Sequence, residues 1–306
     1  MDVFGRTISW TSSVSTYSVT FFLVIFLGYR IQSAFLQYYF YVLGKKGEKD
    51  LSSWKIQPTR GNLAGVFWGD PLFSSKPDRA PFHRYVAAFN LLMASTFAGV
   101  TCELAVRGSP FSKIRFEMIP LLGCEVTQLN SITDLFTYMS HLLDGLISNG
   151  LSSVYDTEIV NWCLLLFLEV LGIVLWQSVL EYYWHRMMHL PYFYTRFHKW
   201  HHYYKAPEPW DDLYIHPIEA LGYYCILYSS SLLPVHVLSF ITYMVIMGLA
   251  GVADHSGIRI QVPYIYNSVD HDNHHKHFHY NYAFPFPFMD LIGGTYLPAA
   301  QRSSTH

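Results

Sequence analysis

The sequence predicts an all-α fold: an integral membrane helical bundle of about four to five spans, a helical hairpin among them, with a histidine-rich helical cap on the cytosolic side. Three observations predict it. Hydrophobic residues make up 51% of the 306 positions and charged residues 14%, against roughly 25% charged in an average soluble domain. Four apolar stretches approach or exceed the ~20 residues that a helix needs to cross a hydrocarbon core. Thirteen of the 16 histidines lie between His185 and His279. The many rings, 24 Tyr and 22 Phe, suit a chain that places amphipathic side chains at membrane–water boundaries. Buried helices of a soluble core would be shorter and would alternate with charged amphipathic ones, which are scarce here.

The first stretch runs from Val19 to Leu43 and is interrupted by Arg30. The second, Tyr85 to Val106, carries Glu103, and the third, Trp162 to Leu180, carries Glu169. The last, Ile218 to Val252, is 35 residues long with Pro234 and His236 near its middle; that is too long for one straight span and reads as a hairpin turning near Pro234. Arg30, Glu103, Glu169 and His236 would be costly facing lipid and are expected to face protein or the interface. Lys45, Lys46, Lys49, Lys55 and Arg60 follow the first span, which sets that loop in the cytosol. Alternation then brings residues 181–217 and 253–306 to the same side, although Arg107, Lys113 and Arg115 run against the rule. Residues 132–150 read as an interfacial helix, and the run Phe284–Phe288 with its two prolines ends any helix before it. The first residues lack the pattern of a cleavable signal peptide. Cys102, Cys124, Cys163 and Cys225 show no paired spacing and read as small buried hydrophobes. A net charge of -2 without a long basic run gives no footing for nucleic acid.

The histidines fall into clusters. His185 and His189, in WHRMMH, are four apart, which puts both on one helical face. His198, His201 and His202 form HKWHH, and His271, His274 and His275 form HDNHH, the same H-x-x-H-H spacing twice. The final pair of each triplet diverges by about 100° of helix rotation, so a triplet can serve one metal or straddle two. Neutral imidazole suits zinc, copper, iron and nickel. Eight imidazoles exceed what one ion takes, so two metals sharing them is the economical solution. H-E-x-x-H is absent, which disfavours a zincin protease, and unclustered cysteines disfavour zinc fingers and iron–sulfur centres. Ligand histidines usually donate their second N–H to a carboxylate or carbonyl; Glu181, Asp211, Asp212, Glu219, Asp254, Asp270 and Asp272 lie near enough in sequence to serve.

The three clusters, in this order beside apolar spans, resemble the fatty acid hydroxylase and sterol desaturase superfamily. FHKWHHYYKAPEPWDDLYIHPIEAL is similar to the second box of its sterol C4-methyl oxidase branch. ADHSGIRIQVP resembles the Asp-His-Ser-Gly segment of that branch and of cholesterol 25-hydroxylase. HDNHHKHFHYNYAFPFPFMDLIGGTY resembles the third box, through its Asn-Tyr-Ala and closing Asp-x-x-x-Gly-Thr. The similarity covers residues 160–298, which sets a catalytic region, 160–306, apart from an N-terminal membrane and interfacial region, 1–159. The resemblance implies two irons, O2 as co-substrate and the endoplasmic reticulum membrane. By position it implies His185, His189, His198, His201, His202, His271, His274 and His275 as ligands, with His255 as a ninth. His216, His279, Glu181, Asp254, Asp270 and Asp272 are further candidates as ligands or as groups that orient one. Asp270 stands where close relatives often have a histidine. His216-Pro217 is followed by Ile218 and Glu219, not by two glycines, so the haem-binding motif of cytochrome b5 is missing and electrons are expected from a separate donor such as cytochrome b5 and its reductase.

The function expected on this footing is oxidation of a C–H bond in a sterol or related lipid drawn from the bilayer, by hydroxylation, methyl oxidation or desaturation. C4-methyl oxidation or another hydroxylation ranks above C5 desaturation; fatty acyl or sphingoid-base hydroxylation is the alternative. Two other classes compete. A metal transporter would place its ligands at mid-membrane depth, not at span ends, and a catalytically dead scaffold would not need complete boxes.

Overall fold

The computed structural model describes residues 14–42, 56, 82–117, 132–149, 157–263 and 265–298. The basic cluster from Lys45 to Arg60 and Cys124 lie outside the described residues. Helix α1 (Thr16–Leu36) continues through a π-helical stretch, Gln37–Val42, and is followed by α2 (His83–Val106), α3 (Ile132–Asn149) and α4 (Thr157–Met188). Short elements come next: α5 (Pro191–Phe193), a π-helical turn Tyr194–His198 and a 3-10 turn His201–Tyr203. Helices α6 (Pro217–Tyr228) and α7 (Val237–Asp254) precede a two-stranded antiparallel ribbon, β1 (Gln261–Val262) and β2 (Tyr266–Asn267). Helices α8 (Ser268–His277) and α9 (Phe288–Gly293) complete the order.

Among the described residues, four helical segments are long and apolar enough to cross a membrane: Thr16–Tyr41, His83–Val106, Val160–Met188 and Val237–Asp254. Their outer faces are apolar and exposed, as at Leu23, Leu27 and Ile31 on α1 and Leu164, Phe167, Leu168 and Leu171 on α4. Moving each such side chain out of water stabilises the embedded state by roughly 1.5–3 kcal/mol. The expected helical membrane protein is what the chain forms, and its last apolar stretch is broken where the hairpin was expected to turn. The chain breaks at Ser229–Leu232 and resumes at Val237, around Pro234. The first leg, however, has 12 residues, roughly 18 Å of helix against a hydrocarbon core of about 30 Å, so it does not cross by itself. Helix α4 errs the other way: its 32 residues make roughly 48 Å, so its C-terminal turns, with His185, can extend past the hydrocarbon.

The chain divides into two compact units. One comprises Met1–Val24, Ser95–Gln177 and Leu227–Val245; the other comprises Ile25–Ala94, Ser178–Ile226 and Ile246–His306. Within the first unit the acidic groups of the spans are neutralised locally. Glu103 accepts from the backbone and hydroxyl of Ser15 (3.0 and 2.6 Å) and from Ser18, and pairs with Arg107 at 2.5 Å. Glu169 pairs with Arg115 and accepts from His236 N and Ser239 Oγ, both at 2.8 Å. His236 in turn accepts at Nδ1 from Leu238 N, 3.1 Å, capping α7. Arg30, in the second unit, lies over the Phe26 ring at 4.3 Å. Helix α3 buries Tyr138 against Trp162 and leaves Phe136 and Leu143 exposed. Of the described cysteines, Cys102 is buried as expected, but Cys163 and Cys225 are exposed on apolar helices; a thiol is apolar enough to face lipid as readily as core.

Candidate metal centre

The clustered histidines lie in the second unit. Nine converge in two groups whose ligand nitrogens lie within 4.8 Å of one another: His185, His189, His198, His202 and His274 in the first, His201, His255, His271 and His275 in the second. Each H-x-x-H-H triplet straddles the two. HKWHH sends its outer pair, His198 and His202, to the first group and His201 to the second; HDNHH sends its outer pair, His271 and His275, to the second and His274 to the first. The one-turn spacing of the outer pair keeps two rings on one face, and the middle histidine points away to the neighbouring group.

Local structure makes these directions hold. Helix α8 begins at Asn267, whose side chain accepts from Val269 N at 3.1 Å, a standard N-cap. It ends at Phe278, a left-handed residue (φ 66°) whose N–H donates to His274 O. Phe278 lays its ring 4.9 Å from that of His202. The closing Asp-x-x-x-Gly-Thr has a mechanical purpose. Asp290 accepts from Tyr282 N, Ala283 N and Thr295 Oγ1 at 2.7–2.9 Å, which holds the segment whose Tyr282 carbonyl meets His185. Asn281 donates to the carbonyls of Asp270 and Leu297, both at 2.9 Å. In the Asp-His-Ser-Gly segment Gly257 has φ +67°, and a Cβ there would stand 2.6 Å from Tyr41 Oη and 2.8 Å from Pro207 O; glycine is required on both counts.

The protons can be assigned from the partners. Nδ1 of His185 donates to Tyr282 O (2.8 Å), of His274 to Tyr280 O (2.7 Å) and of His275 to Tyr204 O (3.0 Å). His198 Nδ1 meets Glu219 Oε1 at 2.5 Å, and His255 Nδ1 lies 2.9 Å from Gly251 O and 3.0 Å from Asp212 Oδ1. A carbonyl only accepts, so the proton sits on Nδ1 and a neutral ring presents Nε2 as a bare lone pair. Nε2 atoms crowd together within each group, those of His189, His201, His202 and His271 among them. In the first group His198 and His189 are 2.9 Å apart, His202 and His198 3.0 Å, and His274 and His202 3.1 Å. In the second, His271 and His255 are 2.9 Å apart, His275 and His271 3.1 Å, and His255 and His201 3.3 Å. One Nε2–H can serve one neighbour, yet His202 Nε2 lies within 3.2 Å of three other Nε2 atoms and His271 Nε2 within 3.1 Å of two, so nitrogens are left with lone pairs opposed unless a cation lies between them. Metal–imidazole bonds of about 2.0–2.1 Å, set at right angles, place neighbouring nitrogens about 3 Å apart, which is the spacing found. His185 Nε2 is buried without a hydrogen-bond partner, as expected of an atom whose partner is an ion. The donor set therefore fits metal ions, one per group.

Electrostatics agree. Burial, then the neighbouring imidazoles, hold His201, His202, His271, His274 and His275 well below the ordinary histidine value, hence neutral. His255 departs from this: burial works to lower it, but Asp212, the Gly251 carbonyl and Asp254 together raise it.

The remaining candidates lie outside both groups. His216 accepts at Nδ1 from Ile218 N (3.2 Å), capping α6, and rests against Trp200 at 4.7 Å. His279 is exposed. Glu181 is buried one turn before His185, and Asp272 is buried on α8. Asp254 accepts from the Tyr266 hydroxyl, and Asp270 from that of Tyr296 at 3.3 Å. Glu219 and Asp212 set their carboxylates against ligand-type rings. The other orienting groups, the carbonyls of Tyr204, Gly251, Tyr280 and Tyr282, escape sequence reading because every residue carries one.

Residues 170–295 match the family model described as fatty acid hydroxylase. Mouse lathosterol oxidase is 29% identical over 157 residues, 48% of this chain and 52% of that protein, and the rat protein of the same name aligns equally. Human fatty acid hydroxylase domain-containing protein 2 is 46% identical over 59 residues, 19% of this chain and 17% of that protein. The chain thus spans about half the length, or less, of the curated relatives it matches. No solved structure matches it.

Proposed function

We propose that this chain, whose residues 170–295 match the fatty acid hydroxylase family model, is a membrane-bound di-iron oxygenase that uses O2 and external electrons to oxidise a C–H bond of a sterol or related lipid. The observation that carries this reading is the pair of imidazole groups whose Nε2 atoms crowd together more closely than their few protons can satisfy. His185, His189, His198, His202 and His274 would hold one iron; His201, His255, His271 and His275 would hold the other. Bound iron supplies, with O2, the oxidising power that an unactivated C–H bond demands. The protein's own part is positional. Glu219, Asp212 and four backbone carbonyls fix ring orientation and tautomer from behind, and the neutral rings leave the ions' charge available to O2. Five nitrogens on one side and four on the other would leave room for a further ligand, more of it in the second group.

Sterol oxidation ranks first because relatives named lathosterol oxidase align over 48% of this chain. Fatty acyl or sphingoid-base hydroxylation is the second reading, favoured by the family's description. Loose capture of ions for transport sits poorly with five of the nine rings held at Nδ1. In this reading residues 160–306 are the catalytic region, the histidines face the cytosol from the endoplasmic reticulum membrane, and cytochrome b5 with its reductase delivers electrons.

Lipid profiling of cells lacking the protein tests the substrate. An accumulated sterol, foremost a 4-methyl sterol, that clears on re-expression supports the first reading. Unchanged sterols with altered sphingolipids move the assignment to the second. Purified protein reconstituted with iron(II), reductant and the accumulated lipid should consume O2 and yield oxidised product; binding of fewer than two irons per chain sinks the di-iron assignment.

A further inference from the structure

Resting on the two-metal reading, we propose that His83 and Asn90, on α2 and outside the family match, are positioning residues for the second histidine group, acting through Asp212 on His255. Residues 205–216 form no regular element, so their conformation depends on hydrogen bonds from elsewhere. Asp212, within this loop, places its carboxylate 3.0 Å from His255 Nδ1.

Both sequence neighbours of Asp212 are clamped from α2. His83 Nε2 lies 3.1 Å from Asp211 Oδ1, with the His83 side chain 1% exposed. Its ring stacks on Tyr214 at 5.0 Å, and its Nδ1 is buried without a partner. The proton of a neutral ring therefore belongs on Nε2: the other tautomer would bury an unpaired N–H and set a lone pair against a carboxylate. The second oxygen of Asp211 accepts from Glu208 N at 2.8 Å. On the far side, Asn90 Nδ2 donates to Leu213 O at 3.0 Å and to Ile215 O at 2.8 Å, and Asn90 O accepts from Tyr224 Oη at 3.1 Å. Helix α1 adds Tyr29 Oη and Ser33 Oγ, both directed at Pro209 O (3.3 and 3.4 Å). Nothing comparable is needed for the first group's carboxylate, because Glu219 sits on α6 itself. The clamp therefore serves one group selectively, which packing alone would not do.

The experiment uses full-length protein in detergent, loaded anaerobically with iron(II) alone, and reads iron per chain and the rate of removal by a ferrous chelator. Wild type should hold two irons. His83→Phe keeps the stack on Tyr214 but loses the hydrogen bond; like Asn90→Ala, it should release one iron 10–100-fold faster than wild type, the range typical for lost orienting partners, while the other leaves at the wild-type rate. His83→Gln, which retains a donor, should restore the slow rate. Wild-type release of both irons from His83→Phe and Asn90→Ala overturns the inference, as does equal loss of both irons from His83→Phe and His83→Gln, which marks a general folding role. A wild-type chain holding fewer than two irons overturns the metal reading instead, and this inference with it.

Discussion

The two histidine groups are built from the same parts in different proportions. Each takes the outer pair of one H-x-x-H-H triplet and the middle residue of the other. The first adds two rings from the end of α4, and the second adds one, His255, from the turn after α7. Their supports differ in kind. Glu219, beside the first group, is on a helix, whereas Asp212, beside the second, is on a loop held by side chains of α1 and α2. A helix fixes a carboxylate through its own backbone ladder; a loop must borrow rigidity. The four-nitrogen group is thus both more open to a further ligand and more exposed to perturbation from a distance, while the five-nitrogen group is the stiffer of the two.

The largest expected effect breaks the comparison at its base. His202→Ala in the first group and His275→Ala in the second should each lower lipid turnover at least about a thousandfold, since several kcal/mol of stabilisation by a metal are at stake at about 1.4 kcal/mol per tenfold. Membrane insertion should survive in both, and activity retained by both purified variants would remove them from the ligand set. Next come the carboxylates. Glu219→Ala and Asp212→Ala should weaken iron binding about 10–100-fold, each in its own group, read by anaerobic iron titration; a uniform effect on both irons would erase the distinction drawn here. Gly257→Ala should lower stability by about 1–3 kcal/mol, through left-handed backbone strain and the approach to Tyr41 and Pro207, seen as a reduced thermal midpoint with the second iron released first. The smallest effect is expected at Phe278. Its left-handed backbone costs roughly 1 kcal/mol, so Phe278→Gly should leave the thermal midpoint nearly unchanged and, by uncovering His202, speed iron exchange in the first group only.

Much of this was legible in the sequence because it is periodic or compositional. Helix and span follow from the length of apolar runs, and the break near Pro234 follows from a ring that cannot donate to a helix. The histidine boxes declare themselves because offsets of three and four have a fixed meaning on a helix. That His201 and His274 exchange groups does not follow from spacing, since HKWHH lies on a π-helical turn and a 3-10 turn where the ideal 100° step does not apply. Nor does spacing reveal the half-length α6, whose boundary is decided where the chain turns. Glu219 and Asp212 were two acidic residues among seven near the boxes, and composition has no means to prefer them over Asp254 or Asp270.

By itself, then, the order of residues determined a helical membrane protein with histidines enough for two ions, since those properties depend on neighbours along the chain. Only the tertiary structure decided which imidazole joins which group, which carbonyls and carboxylates stand behind them, and that His83 and Asn90 reach the Asp212 loop. Those facts depend on atoms brought within about 3 Å from positions as many as 128 residues apart, and a hydrogen bond at that range is set by packing, not by adjacency.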